Sequence, residues 1–107
     1  MAQKEELTIE ELKEKYGRIY ELEIPFEDDA GEVTTEFLYL RKLDRKTYSA
    51  GAKIMQKNEM QGVEMFLRSL TVQGDVEKVI SDFDALRTAA ELIVEVIGVR
   101  PGNVRKV

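Results

Sequence analysis

Apolar and polar positions along this chain change period twice. Before Gly17, Ile9, Leu12 and Tyr16 recur at helical spacing, and Thr8 followed by Glu11 has the form of a capping box. The pattern predicts a short helix over residues 9–16, closed by Gly17. The period then falls to two. Tyr20, Leu22, Ile24 and Phe26 alternate with Glu21, Glu23 and Pro25, as in a half-buried strand. Glu27-Asp28-Asp29-Ala30-Gly31-Glu32 is turn chemistry, and a second alternating run extends from Val33 to Arg41, so a β-hairpin is predicted over about residues 18–41. Pro25 has no N–H for a ladder and belongs on an edge or near a strand end.

From Asp44 the period is helical. Asp44 is the expected N-cap of a helix reaching about Lys57, with Tyr48, Gly51, Ala52 and Met55 on one face. Val63, Phe66, Leu67 and Leu70 fall at i, i+3, i+4 and i+7 and predict a helix over 60–72, broken by Gly74-Asp75. Val76, Val79 and Ile80 suit either a helical turn or an extended piece. A last helix is expected from Asp82 to Gly98, with Pro101 just beyond. Its stripe is Phe83, Leu86, Ala90, Ile93 and Ile97. Ala85, Ala89, Leu92, Val94 and Val96 widen the apolar arc to roughly 200° at about 100° per residue. So broad an arc fits a central helix packed on both flanks, or one with a face left for a partner or a second copy.

These elements predict an α+β fold: a short N-terminal helix, a two-stranded antiparallel hairpin and a three-helix bundle packed against it. At 107 residues the chain is expected to form a single domain over 1–107, with residues 1–6 and 99–107 as flexible tails. Hydrophobic content of 43% and charged content of 35% describe a globular chain with a heavily charged surface. Charge is uneven: residues 1–40 hold 4 basic and 12 acidic side chains, net −8, and residues 41–107 hold 12 and 9, net +3. The sequence pI near 4.9 argues against a nucleic-acid partner. No apolar run reaches the ~20 residues of a membrane helix, and the first residues lack the apolar core of a secretory signal, so a cytoplasmic location and no membrane partner are expected.

There is no cysteine and no histidine, which removes thiol nucleophiles, zinc–thiolate sites and the commonest general base. Ser49, Ser69 and Ser81 sit in no nucleophile motif, and phosphate-loop and dinucleotide glycine patterns do not occur. Glu27, Asp28, Asp29 and Glu32 could offer oxygen ligands to a cation, but the run lacks calcium-loop spacing and suits a solvated hairpin tip. The expectation is therefore a non-enzymatic protein without a cofactor.

Candidate contact residues come from four places. The basic junction between hairpin and helices, Arg41, Lys42, Arg45 and Lys46, surrounds the lone carboxylate Asp44. It opens into a helix rich in small residues, Ser49-Ala50-Gly51-Ala52, which either packs closely within the molecule or admits a partner's apolar segment. Met65 lies roughly opposite its helix's apolar stripe and reads either as a stray exposed residue or as part of an adaptable interface, whereas Met55 and Met60 suit the core. With the broad last helix these give Arg41, Arg45, Tyr48, Ala52, Met55, Met65, Leu92 and Val96 as the expected partner-binding set.

Leu12 to Tyr20, Tyr39 to Ala52, Gly74-Asp75 and the Ala-rich helix from Asp84 together resemble small prophage proteins of the tail-assembly-chaperone type. The chain departs from them at Leu43, where such proteins tend to carry proline, and at Leu70-Thr71-Val72-Gln73, where they often carry tryptophan. The resemblance implies a non-enzymatic factor that coats apolar stretches of a tape-measure or other tail protein until the tail tube assembles. The rivals are a structural tail component that self-associates through the last helix into a homo-oligomer, an enzyme using the acidic hairpin and a metal, and a cytoplasmic protein-interaction module.

Overall fold

Short polar caps divide the second half of the chain into helices. A computed structural model describes residues 6–98 and 104–107. The order is α1 (Ile9–Tyr16), β1 (Ile19–Glu27), β2 (Val33–Arg41), α2 (Arg45–Lys57), α3 (Glu59–Leu70), β3 (Thr71–Gln73), α4 (Val76–Ser81) and α5 (Phe83–Ile97). Asp44, Asn58, Asp75 and Asp82 each accept the amide three residues on, from Thr47, Gln61, Lys78 and Ala85 at 2.7, 3.0, 3.1 and 3.1 Å. Each cap satisfies an N–H that the helix start would otherwise strand, so direction changes after only one to three residues of connection. The Thr8–Glu11 capping box forms in both directions, and Gly17 ends α1 at φ 83°.

β1 and β2 pair antiparallel from Ile19 opposite Arg41 to Glu27 opposite Val33. At the tip Asp28 Oδ1 accepts the amides of Ala30 and Glu32, both at 2.9 Å, so this carboxylate is spent on the turn itself. The hairpin gains a third strand that the helical pattern concealed. The helix expected to run to residue 72 stops at Leu70, and Thr71–Gln73 pairs antiparallel with β2, giving the order β1-β2-β3. Gly74 follows, then Val76–Ser81 as a fourth short helix. The architecture is mixed α and β, with three strands and five helices among the described residues, rather than a two-stranded hairpin under three helices.

One face of the sheet carries Leu22, Ile24, Leu38 and Leu40, and the core lies between it and α3, α4 and α5. Phe66, Leu67, Leu70, Val79, Ala89 and Ile93 are 0–1% exposed there. The buried side of α5 is Ala85, Leu86, Ala89, Ile93 and Val96, rotated from the stripe expected. Phe83 faces out at 66% exposure because the alanine side permits closer approach of the helix, and Val94 is 59% exposed. α2 packs on α3 through bare backbone. A Cβ on Gly51 would fall 2.3 Å from Phe66 Cζ, so the small-residue run is filled from within by a core ring. Gly62 makes the reciprocal approach to Met55.

Two ion-paired junctions close the fold. Arg41, at the end of β2, donates to Asp44 Oδ2 at 2.8 Å, Thr47 Oγ1 at 3.3 Å and the carbonyl of Ser69 at 3.2 Å. It thereby joins the hairpin to the start of α2 and the C-terminal turn of α3, where a cation is favoured by the helix dipole. Arg68 pairs with Glu77 through Nε and Nη2 at 2.9 and 3.1 Å, linking α3 to α4. The expected tails fall mostly at residues 1–5 and 99–103, which lie outside the described residues; Glu6 and residues 104–107 are exposed.

Candidate interaction groove

The second face of the sheet is not an ordinary polar exterior. Register places Tyr39 between Glu21 and Gln73, and Phe37 beside Glu23, on the face opposite Leu38 and Leu40. Helix α1 packs against β1 and presents Lys15 and Tyr16 toward Phe37 and Tyr39 across a groove. Leu12 is 1% exposed yet lies outside the main core, so α1 has its own small apolar anchor. Its second anchor is polar. The Leu7 N–H donates to Gln73 Oε1 at 2.8 Å and Gln73 Nε2 donates to the Leu7 carbonyl at 3.0 Å. A side-chain amide thus satisfies both backbone groups of one residue, as a neighbouring strand would.

The groove between α1, β2 and the segment Thr71–Val76 has a volume of about 980 Å³. Phe37 and Tyr16 stand 42% and 37% exposed on its walls. Glu6, Glu36 and Asp75 add carboxylates, and Lys15, whose Nζ sits 5.4 Å from the Tyr16 ring centre, is the single cation among the lining residues. Partial burial, then the hydrogen bond and charge of Glu21, raise the Tyr39 hydroxyl above the ordinary phenol value; Glu6 and Glu23 act in the same direction. Each of these charges disfavours a phenolate, so the site is electronegative. Exposed aromatic rings beside carboxylates can take apolar and cationic groups together.

A second, smaller groove of about 500 Å³ lies on α2 and α3, lined by Ile54, Gln61, Glu64, Met65, Arg68 and Ser69. Met65 is half-buried there and its sulfur lies 3.8 Å from Ser69 Oγ. The other residues expected to meet a partner are dispersed. Arg41 is engaged by Asp44, Thr47 and Ser69. Arg45 and Tyr48 are exposed on α2, and Ala52 is half-buried beside them in sequence. Met55 and Leu92 pack against the core, and Val96 is part of it at 7% exposure. The set therefore defines no single surface, and none of its members lines the larger groove.

Sequence pattern did hold a signal for that groove. Phe37-Leu38-Tyr39-Leu40 is apolar at both parities, which in a strand means both faces carry large side chains. Among the described residues no group of three or more acidic side chains is placed to hold a metal ion, and no helix is long and apolar enough to cross a membrane. The chain matches no protein-family model, no curated protein and no solved structure.

Proposed function

We propose that the protein is a non-enzymatic binding module that shields an apolar segment of a partner protein, acting as a chaperone in phage tail assembly on a tape-measure or similar tail protein. The observation that carries the binding reading is the groove on the outer sheet face, where Phe37 and Tyr16 remain 42% and 37% exposed in a concavity of about 980 Å³. A surface that keeps two aromatic rings partly in water, one on the sheet and one on the helix that walls it, is organised for contact. The tail-assembly role rests on the resemblance of the Leu12–Tyr20 and Tyr39–Ala52 segments. Co-expression with the tape-measure protein from a neighbouring gene tests it. The expected result is a soluble complex and a raised soluble fraction of the tape-measure protein; no co-purification and no gain in solubility would sink the reading.

A second reading is self-association through α5, favoured by Phe83 and Val94, 66% and 59% exposed on one helix. Sedimentation at high concentration decides it: a persistent monomer excludes this reading, and a dimer abolished by Phe83→Ser supports it.

A further inference from the structure

We infer that the groove between α1 and the outer sheet face takes a segment in which apolar residues alternate with lysine or arginine; this rests on the binding reading above and specifies the chemistry of the partner. Glu6, Glu36 and Asp75 line the groove against one amine, Lys15, so among the described residues its lining is net acidic. The aromatic walls, Phe37 and Tyr16, offer apolar area and ring faces to the same occupant. Two of the carboxylates are already fixed. Glu36 Oε1 accepts the Asp75 amide at 3.3 Å, and Asp75 Oδ1 accepts the Lys78 amide at 3.1 Å. Because the field is held in place before binding, a cation entering it meets preordered acceptors and loses less to reorganisation. The field also reaches the groove floor, where burial first, and then Glu21, Glu6 and Glu23, raise the Tyr39 hydroxyl above the ordinary phenol value.

An acidic segment is excluded by like charge, and an uncharged apolar one leaves the carboxylates unpaired. A purely hydrophilic cation leaves the rings unused. The combination of alternating apolar and basic residues meets both halves of the lining, and alternation suits an extended chain laid along a sheet face. Charge complementarity of this kind acts on specificity and association rate as well as on affinity.

The test uses the intact protein and short fluorescently labelled peptides that alternate leucine with lysine, leucine with serine, serine with lysine, or leucine with glutamate. Fluorescence anisotropy is expected to show the leucine–lysine peptide binding on the order of tenfold more tightly than any other, with affinity falling as salt rises. Combined substitution of Glu6→Gln, Glu36→Gln and Asp75→Asn preserves hydrogen-bond acceptors and is expected to remove most of that preference. The matched triple Glu27→Gln, Asp29→Asn and Glu32→Gln makes the same change in net charge at the hairpin tip, outside the groove, and is expected to leave binding unaltered. Phe37→Ser is expected to weaken the leucine–lysine peptide and leave the serine–lysine peptide as it was. Circular dichroism on each variant establishes that it folds.

Equal binding of the leucine–serine and leucine–lysine peptides overturns the inference, as does equal loss in both triple variants, which would mark the attraction as nonspecific. A groove-sensitive dimer without peptide assigns the groove to a second copy and overturns it too. Solubilisation of the tape-measure protein that survives the groove triple would refute this inference alone and leave the chaperone reading standing. Failure of the co-expression test with an intact leucine–lysine preference would do the reverse.

Discussion

Replacing Gly51 by alanine sets two opposed effects against each other, and the geometry decides between them. In the interior of an exposed helix, glycine to alanine stabilises by about 1 kcal/mol, because glycine gives up more backbone freedom on folding. At Gly51 the new methyl carbon would lie 2.3 Å from Phe66 Cζ and 2.6 Å from both Cε atoms. Ordinary carbon contacts are about 3.5–4.0 Å, so the ring or the helix must give way by roughly 1 Å. Phe66 is 0% exposed, so the ring can move only against the packed core. Overpacking of this kind costs about 1–3 kcal/mol, and three simultaneous ring contacts put it at the upper end. The net expectation is a destabilisation of about 1–2 kcal/mol. Urea unfolding followed by circular dichroism would show it as a midpoint lowered by about 0.5–1 M, at a slope of about 2 kcal/mol per M. The partner arm is Phe66→Leu, which costs stability by itself but vacates the space above Gly51. In that background Gly51→Ala is expected to become neutral or stabilising, a coupling of about 2 kcal/mol in the double-mutant cycle. A stabilising single Gly51→Ala, or strictly additive effects, would refute the close approach of α2 to α3.

Three further outcomes are expected. Thr71 Oγ1 is buried without a hydrogen-bond partner, so Thr71→Val removes an unsatisfied hydroxyl from a strand position and should raise stability by about 1 kcal/mol; a scanning-calorimetry Tm that is unchanged or lower counts against it. Gln73→Ala deletes both bonds to Leu7 and should release α1, seen as loss of amide-exchange protection across Ile9–Tyr16 with β1 and β2 protection retained. Gln73→Glu, which keeps only the acceptor, should lie between. Asp44 is held below the ordinary carboxylate range by the Thr47 amide, the Thr47 hydroxyl and Arg41, and Glu77 by Arg68. A lowered folded-state value means stability present above about pH 4 and lost as pH falls through and below it. Combined Asp44→Asn and Glu77→Gln substitution should flatten the acid limb of an equilibrium urea series between about pH 5 and pH 2; an unchanged slope would discount both contacts.

Local signals located most of the elements because they were written in short segments. The capping box at Thr8 and the Asp caps at 44 and 82 each act within four residues and the alternation from Tyr20 to Phe26 within seven, and each gives an element at the expected place. The strand Thr71–Gln73 lacks a local signal of that kind. Three residues carry no period of their own, and what makes them a strand is an edge of β2 some thirty residues earlier in the chain. Helical spacing from Val63 to Leu70 ran on past its true end because Thr71 and Val72 offered nothing to stop it. The burial of α5 was misjudged by rotation. A hydropathy wheel weights Phe83 above Ala85 and Ala89, whereas close packing puts the small side chains inward. The groove escaped because it needs residues 6–16, 36–39 and 71–76 together. Only the doubly apolar run at Phe37–Leu40 hinted at it from within one segment.

The pair between Leu7 and Gln73 spans sixty-six positions of sequence and has a kinetic meaning. Both hairpin strands, and the helix pair α2 and α3, close through local contacts and can form early. The groove cannot. Its walls come from segments some sixty residues apart, so it comes into being only when the N-terminal helix docks on a sheet that already holds its third strand. A nascent or partly folded chain has no such surface to offer, and a partner that binds there selects for finished molecules. Binding at the groove would in turn hold α1 in place and draw stability from the occupant, so the least anchored helix becomes the one that reports whether the partner has arrived.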